Sequence, residues 1–147
     1  MRGFPAGVAV LTVDADGDRL GLTVGTAVSL SLEPPLVGVS VARQAAMHEL
    51  LRRAGAFALS LLAGDQEAVA QHFARGVPPV AHWHGIEWHD GTAGAPLLDG
   101  ALGWVEARVE SELATGDHTF FVGAVEAVER GRDGPALVHV GQGYVPL

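Results

Sequence analysis

The chain is a succession of short apolar, β-branched runs separated by turn clusters, and only two stretches carry helical spacing. This pattern constrains the fold more than any other feature, because strands without regularly interposed helices pair antiparallel rather than building a doubly wound parallel sheet. Residues 7–13 form the first run. Asp14-Ala15-Asp16-Gly17-Asp18 is a turn cluster, and residues 20–27 return from it, so the chain opens with a hairpin. Ser29-Leu30-Ser31-Leu32 alternates until Glu33-Pro34-Pro35 breaks it, and residues 36–41 read as a buried strand. Further strands are predicted over residues 56–62, 101–113, 119–128 and 136–140. Met47, Leu50, Leu51 and Ala54 recur at helical spacing and predict a helix over 45–54, with Gly55 at its C′ position. A second helix is predicted over 66–74, capped by Asp65, with Val69 and Phe73 on one face. Residues 76–98 are rich in Gly, Pro and His and read as a long excursion of the kind that carries function. About seven strands and two short helices predict a mainly β protein, a closed antiparallel barrel with helical insertions, forming a single domain over 1–147.

Composition removes whole classes of function. Of 147 residues, 48% are hydrophobic and 18% charged, enough apolar surface to offset the entropy of ordering. The absence of Cys excludes disulfides, a thiolate nucleophile and Cys-ligated metal. No apolar run reaches the ~18 residues of a membrane-spanning helix. Met1-Arg2-Gly3-Phe4-Pro5 lacks the apolar core of a signal peptide, so the expected location is the cytoplasm. Acidic residues outnumber basic ones 17 to 9, for a net charge of −8, which opposes binding to nucleic acid. All nine basic residues are Arg, so no Schiff base can form and any charged phosphate clamp must be a guanidinium. The 20 glycines supply tight turns or let backbone pass close to a ligand.

Five segments carry possible chemistry. Gly21-Leu22-Thr23-Val24-Gly25-Thr26-Ala27 is either a strand end that meets a flat polar ligand or an ordinary Thr-rich strand and turn. Ala42-Arg43-Gln44-Ala45-Ala46 sets a guanidinium beside a helix N-terminus, an anion site or simply a surface Arg. His72-Phe73-Ala74-Arg75-Gly76 puts a second Arg at a helix end, facing either a phosphate or the helix dipole. Gly116-Asp117-His118 lies between two long strands, its His turned into a cleft or into water. His82 and His84 would share one face of a strand, the geometry of two metal ligands with His89 as third. The alternative there is an aromatic and polar loop, with Trp83 and Trp88, at a cleft or dimer interface. No nucleophile elbow, no GxxxxGK[ST] and no Gly-x-Gly-x-x-Gly after a strand is present, so a hydrolase or a Rossmann dehydrogenase has no local support.

Taken in order, these segments resemble the flavin reductase family, short reductases that supply reduced flavin to two-component monooxygenases. The resemblance runs through Phe4-Pro5-Ala6-Gly7-Val8, Gly21-Leu22-Thr23 and Ser29-Leu30-Ser31-Leu32-Glu33-Pro34-Pro35-Leu36-Val37. It continues through Gly55-Ala56-Phe57-Ala58-Leu59-Ser60-Leu61-Leu62, Gln66, His72-Phe73-Ala74 and Leu98-Asp99-Gly100-Ala101. Gly116-Asp117-His118-Thr119 and Tyr144-Val145-Pro146-Leu147 complete it, and Ser-Leu-Glu-Pro-Pro-Leu and Gly-Asp-His are its specific parts. It implies an FMN-binding split β-barrel, a homodimer, FMN or FAD as flavin and NADH or NADPH as co-substrate, with a flavin-dependent monooxygenase as recipient. It implies a flavin ring against Thr23, Val24, Gly25 and Thr26. The phosphate would lie near residues 42–47, among them Ala42, Arg43, Ala46 and Met47, and near Phe73, Ala74 and Arg75. Ser40 and Val41 complete the implied cofactor site. His118 and Tyr144 fall on the nicotinamide side, His118 positioning the nicotinamide without acid–base work, and no metal is implied.

Three departures stand out. Gly25 replaces the Ser or Asn frequent in the family, and Ala27 the usual Phe. The helix entrance reads Ala45-Ala46-Met47 where Ser, Thr or Asn is usual, leaving backbone N–H groups with Arg43 and Arg75 for the phosphate. The helix usual before Phe4-Pro5-Ala6-Gly7 is almost missing. A non-enzymatic flavin- or haem-binding split-barrel protein is the alternative reading.

Overall fold

The computed structural model describes residues 2–75 and 78–147. Asp16 and Gly17 both have positive φ, 55° and 93°, the type I′ turn whose twist matches its flanking strands. They join β2 (Ala9–Ala15) to β3 (Asp18–Val24) in the predicted hairpin. After β1 (Ala6–Gly7), these strands are followed by β4 (Val28–Leu32), β5 (Pro35–Ala42), α1 (Ala46–Ala54), β6 (Ala56–Leu61) and α2 (Glu67–Ala74). The second half holds β7 (Trp88–Asp90), β8 (Pro96–Leu98), β9 (Gly103–Thr115), β10 (His118–Arg130), β11 (Leu137–Val140) and β12 (Gly143–Pro146). Seven strands form one antiparallel sheet in the order β3-β2-β6-β9-β10-β5-β4.

That sheet rolls on itself. Ala9, Leu11, Val13 and Ala15 of β2 share one core with Val37, Val39 and Val41 of β5, four places away in the strand order. Phe57, Leu59, Ala107 and Phe121 fill the space between them. α1 closes the end of the barrel that follows β5, inserting Met47, Leu50 and Leu51, and terminates at Gly55, whose φ of 68° is the left-handed cap expected there. His48 in the same helix is buried, with Nε2 2.7 Å from the Thr119 hydroxyl of β10. The end strands β3 and β4 are not hydrogen-bonded to each other, so the barrel is the split one that the resemblance implies, and the closure expected from the strand pattern alone is corrected.

β2 is buried on both faces. On its other face Val10 joins Leu62, Ala70, Phe73, Leu98 and Leu137 in a second core under α2, the end of the chain and Trp83 and Trp88, and the buried Thr12 hydroxyl donates to Pro96 O at 2.6 Å. Four expectations change here. Asp65 does not cap α2; it pairs with Arg132, while Gln66 accepts the Ala63 amide at 2.9 Å and donates to Asp99 O at 3.0 Å. Residues 82–84 lie in a turn rather than a strand, so His82 and His84 share no face. The 76–98 excursion contains a 3₁₀ turn at Pro79–Ala81 and the β7–β8 hairpin. The chain end forms an additional strand, β12, paired with β11 across Gly141 and Gln142.

Candidate active site

β3 is an end strand, so one of its edges has no ladder partner in the sheet. Side chains cover part of that edge: the Gly21 amide donates to His82 Nε2 at 2.8 Å, and Trp83 Nε1 donates to Arg19 O at 3.2 Å. β3 runs without a bulge against β2, so the period of two turns the backbone polar groups of Thr23 outward as well. The Thr23 hydroxyl donates to Ala70 O at 2.6 Å and ties this strand to α2. Gly21 allows the close approach of α2: a Cβ there would lie 2.6 Å from the Phe73 ring.

Two adjoining cavities lie along this strand and meet at Ala74. The larger, about 520 Å³, is lined by Leu20, Gly21, Leu22, Ala45, Ala46, Met47, Phe73, Ala74, Arg75, Pro78 and His82. The smaller, about 190 Å³, is lined by Val8, Thr23, Val24, Gly25, Ala74, His139 and Tyr144. Among the described residues no carboxylate lines the larger cavity, and Arg75 is there. Ala45 stands at the N-cap of α1 without a capping side chain. The amides of Ala46 and Met47 therefore have no intrahelical acceptor, and both residues line the cavity. This donor set suits an anion. The cleft thus offers an anion-binding end between α1 and α2 and, past Ala74, an exposed backbone edge beside Tyr144. A planar polar ring with a phosphate-bearing tail fits that division.

The predicted residues fall into two groups. Thr23, Val24, Gly25, Ala46, Met47, Phe73, Ala74, Arg75 and Tyr144 line the cleft. Val24, Met47 and Phe73 are buried and give the walls their shape. Thr26, Ser40, Val41, Ala42, Arg43 and His118 line neither cavity; Ser40 to Arg43 and His118 gather where β5 meets β10, and Thr26 lies on the opposite, β4 side of β5. Thr26 Oγ1 accepts the Ser40 amide at 3.1 Å and donates to Ser40 O at 3.2 Å, continuing the β4–β5 ladder. Val41 points into the core, and Ala42 lies opposite His118. The exposed Arg43 donates its amide to Asp117 O at 2.9 Å. His118 Nδ1 lies 2.7 Å from Asp117 Oδ1, and this contact holds the Asp117 carboxyl below the usual carboxylate range.

His82, His139 and Pro78 line the cleft without having been singled out as ligand-binding residues. His139 packs edge-on against Tyr144 with ring centroids 5.2 Å apart, and burial, with the charge of Glu67, raises the Tyr144 phenol. The β11–β12 register is the signal that would have found His139, since His139 and Tyr144 are direct partners. The imagined His metal site is dispersed. His82 caps Gly21, His84 is exposed, and His89 pairs with Asp99 at 2.6 Å. Among the described residues no group of side chains is arranged to hold a metal, and no helix is long and apolar enough to cross a membrane.

Comparison with known proteins identifies the family. The chain is 40% identical over 141 residues to the reductase component of 4-hydroxyphenylacetate 3-monooxygenase from Thermus thermophilus, spanning 96% of this chain and 88% of that protein. It is 33% identical over 151 residues to an NADH:FMN oxidoreductase from Rhodococcus qingshengii, spanning 99% and 78%. The solved structure of the NADH:FAD oxidoreductase of Streptomyces globisporus, in complex with NAD and FAD fragments, matches with a TM-score of 0.91. That match has 35% sequence identity and covers 97% of this chain and 85% of that one. Residues 1–147 match the flavin reductase like domain from end to end, and the chain belongs to that family.

Proposed function

We propose that this chain, as one domain over 1–147, is an NADH-dependent flavin reductase that passes a hydride to FMN or FAD and supplies reduced flavin to a partner monooxygenase. The observation that carries the reading is the cleft along β3, a backbone edge at one end and a carboxylate-free anion site at the other. The relatives named above support it: one reduces FMN, one FAD, and one is a monooxygenase reductase component.

When bound, flavin supplies the hydride acceptor; the protein's task is to bind, orient and exclude water. The outward backbone of Thr23, continuing to Gly25, holds the polar edge of the ring. The hydroxyl hydrogens of Thr23 and Thr26 are engaged elsewhere, so the ring meets main chain there. Arg75 and the first-turn amides of α1 hold the phosphate, and Phe73 and Met47 shape the wall. Tyr144 and His139 close the ring end. His118 lies outside the cleft, on the hairpin that ties to the α1 entrance through Arg43. With Nδ1–H donated to Asp117, its Nε2 is an acceptor for the nicotinamide carboxamide.

We further read the protein as a cytoplasmic homodimer. The end of the barrel at the start of β5, away from α1, opens as an apolar groove of about 360 Å³ lined by Val28, Leu32, Leu61 and Val128, among others. A second copy is the occupant that would cover it.

The deciding experiment follows NADH oxidation by the purified protein, with and without FMN, FAD and riboflavin. Turnover that depends on added flavin is the expected result and ranks the flavins in one assay. A folded sample that oxidises neither NADH nor NADPH with any flavin would overturn the reading in favour of a non-enzymatic flavin- or haem-binding barrel.

A further inference from the structure

The free edge of β3 is divided between two uses. Its ring end is left open beside Thr23 and Gly25, whereas its Arg19–Gly21 stretch is covered by residues 82 and 83 as a neighbouring strand would cover it. Trp83 supplies the donor and His82 the acceptor. A backbone amide can only donate, so His82 Nε2 must be the unprotonated nitrogen of a neutral ring. The same residue is anchored a second time, because His72 Nε2 donates to the His82 carbonyl at 2.7 Å. The His82 ring packs edge-on against Phe73, centroids 5.2 Å apart, and both side chains line the larger cavity.

We propose that His82 is a positioning residue for flavin. As a neutral acceptor for the Gly21 amide it holds residues 78–86 against β3, and so fixes the Phe73 wall that receives the anionic end of the ligand. The inference rests on the flavin reductase reading for the identity of that ligand.

The pin is sensitive to acid. A proton on Nε2 would face the Gly21 N–H, turning an attraction into a repulsion. The surroundings of the ring favour its neutral state: burial pushes its pKa below the ordinary His value, and His72 on α2 adds to that push. Arg75 on the same helix lines the same cavity, and α1 contributes Ala45, Ala46 and Met47 with no charge. On β3, Arg19 lies over the Trp88 ring, 5.0 Å from its centroid, and His84 is the other titratable group of the 82–84 turn. No carboxylate among the cavity-lining residues compensates a proton on His82. Since the folded-state pKa is depressed, the contribution is present above the unfolded His value and is lost as pH falls below it.

The test compares wild type with His82→Gln, which keeps an acceptor that does not titrate, and His82→Phe, which keeps bulk without an acceptor. FAD is the probe, because its diphosphate takes up no proton in this range, whereas the FMN monoester titrates near pH 6. Two quantities are read from pH 7.5 to 5.5: the FAD dissociation constant, and the hydrogen-exchange protection factor of the Gly21 amide without flavin. Wild type should lose FAD affinity with acid, by no more than about tenfold per pH unit, the limit for one linked proton. Its Gly21 protection should fall in the same range. His82→Gln should match wild type at pH 7.5 and vary little in both readouts. His82→Phe should bind FAD weakly and leave Gly21 unprotected throughout. The proposal is overturned if His82→Gln keeps the wild-type pH dependence, or if His82→Phe retains both affinity and protection. Wild type that binds no flavin at any pH would sink the reductase reading and the flavin role of His82 with it. In that event the Gly21 protection pattern still decides whether the imidazole is the pin.

Discussion

Two arginines compete for the flavin phosphate, and their positions separate them. Arg75 lines the larger cavity at the end of α2, whereas Arg43 is exposed, lines neither cavity and is joined to the β9–β10 turn through its amide. Arg75→Ala should therefore weaken FMN and FAD by about tenfold, a charge-assisted hydrogen bond discounted for exposure, and leave riboflavin nearly unchanged. Arg43→Ala should change all three little. Fluorescence titration of the three flavins decides it, and equal losses with riboflavin would remove the phosphate role from Arg75. Both guanidiniums were legible in the sequence because each sits at a helix end. Which of them faces the cleft was not, since that depends on how α1 and α2 flank β3. His82 was legible as a metal-ligand candidate or as part of an aromatic and polar loop at a cleft, but not as a partner of β3, because the amide of Gly21 that it accepts lies 61 residues away and has no side chain to mark it. Steric demands act at this scale too. A Cβ on Gly123 would lie 2.7 Å from the Phe57 ring and 2.8 Å from Ala107, both fully buried. A Cβ on Gly38 would strike Phe120, which is partly exposed and can turn aside. Gly123→Ala should thus cost about 1–3 kcal/mol by overpacking, and Gly38→Ala less. Urea unfolding of the two variants checks the order, and a reversed order would show that the Phe57 side of the core yields more readily.

Elements whose ends carry strong local signals were readable in the sequence. The Asp14–Asp18 cluster marks the turn of the first hairpin, which forms as a type I′ turn at Asp16-Gly17, and Gly55 marks the left-handed helix end found there. Elements that depend on distant partners were not. β12 has four residues and ends in Pro, so it has little strand character alone; it forms because β11 offers it an edge. Residues 88–98 of the excursion form the β7–β8 hairpin for a similar reason. Glu106 of β9, buried, accepts the Thr92 hydroxyl and the Ala93 amide, each at 2.9 Å, and anchors the loop between β7 and β8. Asp65 shows the reverse error: a good capping residue by type, it is drawn off by Arg132, and α2 starts uncapped. α1 is uncapped as well, which leaves its first amides available to a ligand at a cost in helix stability. Ala45 already has the extended backbone of an N-cap, φ −74° and ψ 141°. Ala45→Ser should therefore raise the unfolding free energy by about 1 kcal/mol, read as a higher urea midpoint at unchanged slope. A midpoint that does not move would show that the first turn is satisfied some other way.

At the scale of the molecule, an antiparallel barrel was legible because about seven apolar runs lack regularly interposed helices, but the position of the split was not. Closure requires the end strands to meet, and here the outer edge of β3 is given to the cleft while β4 stops at the apolar groove. The groove is therefore a consequence of how the barrel opens. α1 plugs the end that follows β5, and nothing equivalent covers the end where β5 begins, where Leu32 is 89% exposed and Val128 72%. Large apolar side chains clustered at a rim, and not scattered, are the mark of an interface. Each such side chain buried on association contributes about 1.5–3 kcal/mol, enough for a few of them to hold a dimer at micromolar concentration. A carboxylate at the same place must be desolvated without a partner, and that outweighs the gain. Val128→Asp should then dissociate the proposed dimer, shown by a halved mass in sedimentation equilibrium. It should leave the far-ultraviolet circular dichroism unchanged, because Val128 supports no part of either barrel core. Wild type that sediments as a monomer would exclude a second copy from the groove and leave that rim for the monooxygenase. A variant that stays dimeric would place the interface elsewhere on the barrel.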